Sequence, residues 1–146
     1  MDTQTDYENP WTFNGEVFHS SDIQDHFGFV YIITCLQTGR KYVGRKYFWS
    51  FRTERGKSRR TKMESDWKKY YGSCPELKDD IKKYGKPNFK RVIISLHKTK
   101  GQCNYEETRQ LFYYNVLTEA TSDGTPAFYN SNILGRYMRK DYFART

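Results

Sequence analysis

No stretch of this sequence approaches the roughly 18 consecutive apolar residues that a helix needs to cross a bilayer. The mean hydropathy of −0.96 likewise excludes an integral membrane protein. The opening residues, MDTQTDYENP, have neither a basic start nor an apolar core, so they do not read as a secretory signal. Cysteine is scarce. Cys35, Cys74 and Cys103 are odd in number and too widely spaced for a disulfide framework or a CxxC metal knuckle. His19, His26 and His97 are equally scattered, so no zinc site is expected and the cysteines read as reduced packing residues. These absences predict a soluble, intracellular, cytoplasmic chain with no membrane partner. Aromatic residues are not scarce: 13 Tyr and 10 Phe argue against disorder in so polar a chain. At 146 residues it is expected to form one domain, able to bury roughly two-thirds of its unfolded surface without a metal or disulfide staple.

Basic residues are absent from residues 1–27, which hold six acids: Asp2, Asp6, Glu8, Glu16, Asp22 and Asp25. The whole chain carries +8, so the remainder carries +14. Residues 40–69 alone hold twelve Lys and Arg against Glu54, Glu64 and Asp66, a net +9. Such a concentration is the electrostatic footprint of a polyanion binder, and nucleic acid is the commonest polyanion. A solubilising charge run is the competing explanation. Tyr42, Tyr47, Phe48, Trp49, Phe51 and Trp67 interleave with the cations, a mixture that suits stacking on nucleotides as well as packing, and this favours binding.

The run GFVYIITC (28–35) and the run RKYVG (40–44) read as a β-hairpin whose turn is released by Gly39. FKRVIISL (89–96) supplies a third strand with a β-branched centre. Between them SCPELKDDIKKYG predicts a helix, with Ser73 as N-cap, Pro75 in the first turn, Leu77, Ile81 and Tyr84 on one face, and Gly85 just past the end. A second helix is expected to open at Asn104 and carry Leu111 and Tyr114 inward. The expected fold class is α/β: a small three-stranded, mainly antiparallel sheet flanked by helices. Residues 1–27 are expected to strap across the core as an extended acidic arm through Trp11, Phe13, Phe18, Ile23 and Phe27. Residues 28–132 form the domain proper, 53–69 a basic insertion kept mobile by Gly56 and Ser58, and 133–146 a basic tail.

Phe29-Val30-Tyr31 and Tyr42-Val43-Gly44 set two tyrosines eleven residues apart. With YYGSCPELKDDIKKYG, the following strand, a glutamate-bearing helix and the late Tyr129-Asn130, they resemble the GIY-YIG nuclease family over residues 28–132. The likeness is to phage-type or mobile-intron homing members, although FVY stands where the family has GIY. The resemblance implies a metal-dependent endonuclease that hydrolyses phosphodiester bonds by nicking or double-strand cutting.

Phosphodiester hydrolysis needs a base for water, positive charge at the pentavalent phosphate, and help for the leaving 3′-oxygen. By resemblance, Tyr31 and Tyr42 divide the roles of base and orienting group, with Tyr31 favoured as base. A free tyrosine titrates near ~10, and Arg45, Lys46 and Arg52, close in sequence, are expected to lower that value. Arg52 lies where the family places its phosphate-binding arginine; Arg45 and Lys46 are rivals for the role. Glu107 is the implied ligand of one Mg²⁺ or Mn²⁺ per active site, completed by water and phosphate oxygens. The same glutamate could close a capping box with Asn104, Glu106 would face outward, and a helix slipped by three residues would offer Gln110 instead. Asn130 matches the family's late asparagine, with Asn132 as the alternative. Arg45, Lys46, Arg55, Lys57, Arg59, Arg60 and Lys62 are expected to follow the backbone of DNA, most simply double-stranded, bound by a monomer or weak dimer. A catalytically inactive nucleic-acid-binding module that keeps the fold is the alternative reading, and RNA remains an open substrate.

Overall fold

The computed structural model describes residues 7–53, 55–56 and 59–143. The chain opens with two short strands, β1 (Thr12–Phe13) and β2 (Glu16–Val17). They are joined by Asn14 and Gly15, both at positive φ (53° and 84°), as a two-residue hairpin turn requires. The apolar run becomes β3 (Gly28–Cys35), and the following turn returns the chain as β4 (Lys41–Tyr47). Next come β5 (Trp49–Thr53) and β6 (Arg60–Glu64), then helix α1 (Pro75–Tyr84), β7 (Phe89–His97) and helix α2 (Lys100–Tyr113). A last hairpin, β8 (Asn132–Ile133) and β9 (Tyr137–Met138), closes the described chain.

The sheet has five strands in the order β2-β1-β7-β3-β4, not three. β1 runs parallel to β7, with Thr12 opposite Val92, and the other pairings are antiparallel. Residues 12–17 are therefore part of the sheet rather than an arm laid over it. The polar backbone of β7 would otherwise be left as an open edge, which a short added strand covers.

The helix boundaries also differ from expectation. Pro75 occupies the first turn of α1, but the residue before it, Cys74, takes the N-cap place foreseen for Ser73. Helix α2 starts four residues before Asn104, because the Thr99 hydroxyl accepts the Gln102 amide at 3.0 Å and caps it there. Asn104 thus lies one turn inside the helix.

Two cores flank the sheet. Trp11, Phe18, Phe29, Phe48, Trp67 and Leu77 are buried on the α1 side. Val43, Leu111, Val116, Phe128 and Ile133 pack on the other. The aromatic cluster includes edge-to-face pairs such as Trp11–Phe29 (centroids 5.0 Å apart) and Phe48–Trp67 (5.3 Å), geometries worth about 0.5–1.5 kcal/mol each beyond burial. Arg91 of β7 is 1% exposed. Its guanidinium lies between the rings of Trp11 (4.7 Å) and Tyr71 (4.2 Å) and donates to the carbonyls of Asn9, Lys68 and Tyr70. It ties the start of the chain to the segment leading into α1. No described helix is long and apolar enough to cross a membrane.

Candidate active site

β4 is the last strand of the sheet, and side chains from both faces meet over its edge. Tyr31 and Tyr42 come from one face, because Tyr31 lies opposite Gly44 and Tyr42 is two residues along the same strand. Their rings are 6.2 Å apart. Gly44 is what admits Tyr31: a β-carbon there would stand 2.5 Å from the Tyr31 hydroxyl and 3.0 Å from the Tyr42 ring. From the other face, Arg45 reaches Glu107 of α2, Nη1 to Oε1 at 2.6 Å. A cavity of about 410 Å³ opens there, lined by Tyr31, Tyr42, Arg45, Lys46, Tyr70 and Glu107, with Trp49 and Ser50 also in its wall. A second cavity of about 350 Å³ continues past Tyr42, Arg45 and Glu107 to Asn130. Those three side chains line both cavities.

Glu107 is the one carboxylate lining either cavity among the described residues. Glu106 is turned to Arg109 on the helix surface, and Gln110 lines neither cavity. Among the described residues no cluster of three metal-ligating His, Cys, Asp or Glu side chains exists. The donor set thus fits an ion held by one carboxylate and completed by water and phosphate oxygens, as octahedral Mg²⁺ accepts. Asn104, expected as the partner of Glu107 in a cap, instead accepts the Tyr47 hydroxyl at 2.6 Å; Tyr47 in turn accepts Arg45 Nε at 3.2 Å.

The cations are distributed otherwise than sequence proximity suggests. Arg45 and Lys46 line the cavity; Arg52 lies on β5, solvent-exposed and outside it. Lys46 pairs with Asp66 at 2.7 Å, its ammonium 4.1 Å from the centre of the Tyr70 ring. Arg55, Arg59, Arg60 and Lys62 are exposed along the β5–β6 hairpin and its tip, and Lys57 lies outside the described residues.

The expected lowering of the tyrosines is reversed. Burial drives Tyr31 well above its ordinary value, reinforced by Tyr42 and by a hydrogen bond to Tyr70. Burial likewise pushes Tyr42 up to about 12, with Cys74, Tyr70 and Glu107 adding to it and a hydrogen bond with Ser73 offsetting part. The nearby cations do not prevent this because each already has a carboxylate partner, Arg45 with Glu107 and Lys46 with Asp66. Arg45 itself is raised: burial works against its charge, but Tyr47 and Glu107 outweigh it.

Asn130 is buried and clamps the edge strand, Nδ2 donating to the Val43 carbonyl at 2.9 Å and Oδ1 accepting the Val43 amide at 3.1 Å. Tyr129 beside it is anchored to α1 through Asp80 at 2.6 Å. Asn132 shapes the following turn by accepting the Gly135 amide. Two site residues were not singled out from sequence. Tyr70 and Ser73 stand in the YYGS stretch, where a β-carbon at Gly72 (φ 85°) would stand 3.2 Å from the Tyr42 ring and 3.4 Å from the Tyr31 hydroxyl. That glycine, between two polar positions before a helix, was the available signal.

A family model described as "Putative endonuclease segE, GIY-YIG domain" matches residues 11–133. The chain therefore belongs to the GIY-YIG nuclease family, among its phage-type members. The match begins at Trp11, one residue before β1. No curated protein and no solved structure gives a significant match. The family implies endonuclease activity on DNA and a general dependence on divalent metal.

Proposed function

We propose that this chain is a catalytically competent, Mg²⁺- or Mn²⁺-dependent DNA endonuclease of the phage or mobile-element homing type, acting in the host cytoplasm as a monomer or weak dimer. The observation that carries this is the meeting of Tyr31, Tyr42, Arg45 and Glu107 over one strand edge in one cavity. A fold kept only for binding has no need to bring two buried phenols, an arginine and a lone carboxylate together.

Arg45 and Lys46 are the cations placed to receive a phosphate. The Arg45 fork holds non-bridging oxygens and stabilises the charge that grows on them, a task for which a planar guanidinium suits better than an ammonium. Glu107 would hold the divalent ion, whose contribution when bound is Lewis-acid stabilisation at the phosphate and leaving oxygen. An ion held by Glu107 would compete with Arg45 for that carboxylate, and the guanidinium, which lines the same cavity, would then be available to the substrate. Tyr31 first yields its own proton to Tyr70, its hydrogen-bond partner, and the phenolate so formed takes the proton of the attacking water. Tyr70 lines the same cavity and returns a proton to solvent. Tyr42 orients the water or phosphate from the mouth shared by the two cavities. Asn130 positions this strand by holding Val43.

The test is supercoiled plasmid with Mg²⁺, comparing wild type, Glu107→Ala and an EDTA control. Wild type is expected to yield open-circle or linear product, with the other two reactions at least about 10²-fold slower, the scale of losing one transition-state contact. Cleavage that persists in Glu107→Ala removes this residue as the ion's ligand. Binding without any cleavage, across substrates of varied sequence, establishes the inactive module instead.

A further inference from the structure

The β5–β6 hairpin stands apart from the two cores. Every residue of its paired strands except Trp49 is exposed. Its register sets Phe51 opposite Lys62 and Arg52 opposite Thr61, so its two faces can be read directly. One face carries Trp49, Phe51, Thr53, Arg60, Lys62 and Glu64 and is internally engaged. Lys62 lies 4.3 Å from the Trp49 ring centre, Arg60 5.4 Å from that of Phe51, and Phe51 stacks at 6.4 Å on Phe27. The other face carries Ser50, Arg52, Thr61 and Met63. Among the described residues nothing hydrogen-bonds or pairs with the Arg52 guanidinium or the Thr61 hydroxyl.

An exposed antiparallel two-stranded ribbon is one of two elements that the major groove of B-DNA admits, the other being a helix. Five residues per strand extend about 17 Å, the length of about five base pairs. Residues 49–64 hold six cations against two acids, complementary to the phosphates that border the groove. The free face has the chemistry of base reading: an arginine fork for guanine O6 and N7, hydroxyls of either polarity, and apolar groups for the thymine methyl. Its root lines the candidate catalytic cavity, through Trp49 and Ser50. The hairpin therefore adjoins the cavity in which a phosphate would sit.

We propose that the β5–β6 hairpin is the sequence-reading ribbon of this protein, lying in the major groove of duplex DNA with Ser50, Arg52, Thr61 and Met63 toward the base edges. This rests on the endonuclease reading only in placing a DNA phosphate in the cavity. It reassigns Arg52 from the reacting phosphate to base reading and leaves Arg55, Arg59, Arg60 and Lys62 to the DNA backbone. It also decides for DNA over duplex RNA, whose deep, narrow major groove side chains cannot read.

The test measures binding with no divalent ion present, so cleavage plays no part in it. Duplexes with a 30-base-pair random segment are selected on wild type and on Arg52→Ala/Thr61→Ala, and the bound pools are sequenced. Both positions are exposed, and a thermal melt confirms that the double variant folds. Wild type is expected to enrich a motif of about three to five base pairs containing guanine. The variant is expected to lose about tenfold in enrichment at those positions while its salt slope keeps its value. Replacing the motif's guanine with 7-deazaguanine should weaken wild type about tenfold and leave the variant little changed. Four results would each overturn the proposal: no enriched positions, equal enrichment by the variant, equal binding of the same sequence as duplex RNA, or a salt slope reduced by about one with base preference intact. A chain that reads bases but never cuts would fail only the endonuclease reading.

Discussion

At the scale of the residue, the site depends on an atom that is missing. Gly44→Ala places a methyl group 2.5 Å from the Tyr31 hydroxyl, and the phenol or the edge strand must move. The expected outcome is a loss of at least about tenfold in plasmid cleavage, since displacement of about 1 Å at a reacting group costs on the order of 10²-fold. Protein yield and helical content should be retained. The raised tyrosines predict a distinct pH profile. Below its pKa the phenolate fraction rises tenfold per pH unit, so log rate should climb with a slope near ~1 from about pH 6 to about pH 9. A plateau well below pH 9 would assign the base to another group. The two-tyrosine arrangement was legible in sequence because a hairpin of known period forces residues at such spacing onto one face. The direction of their titration was not, because burial and the pairing of Arg45 and Lys46 with carboxylates arise from contacts distant in sequence.

Elements show a second kind of dependence. β4 ends the sheet, and its outward amide and carbonyl at Val43 would be orphaned without Asn130. Asn130→Ala is expected to destabilise the protein by about 1–3 kcal/mol, the cost of leaving such groups unpaired. It should also reduce cleavage and speed hydrogen exchange of the Val43 amide; slow exchange in the variant would show that the strand is held by other means. Strands β3 and β7 and helix α1 could be read from pattern and punctuation. The expected start of α2 differs because two good caps, Thr99 and Asn104, lie five residues apart, and Asn104 finds Tyr47 instead. The Asn14-Gly15 turn was a readable signal for β1 and β2, overlooked because strands of two residues leave no alternation to follow. The family resemblance points to Arg52 for the phosphate, ten residues after Tyr42, whereas Arg52 lies exposed on β5 and does not line the cavity.

Across the whole molecule, distant segments are tied together by Arg91, a buried cation whose partners are backbone carbonyls from two of them. Arg91→Met keeps much of the volume but leaves at least three carbonyls without donors. A loss of about 2–5 kcal/mol is expected, read from urea unfolding. Because Tyr70 is one of those partners, cleavage should fall even where the variant remains folded. An Arg91→Met protein with unaltered midpoint and rate would show the latch to be dispensable.

That β1 lies beside β7 also sets the timetable of synthesis. Thr12 and Phe13 leave the ribosome about eighty residues before Val92 and Ile93, with which they pair. At about 5–20 residues per second this is a wait of roughly 4–16 s. Asn130, which clamps the strand bearing Tyr42, emerges later still. A nascent chain, or one terminated before Asn130, therefore lacks the clamp on the strand that bears Tyr42 and has no complete cavity wall.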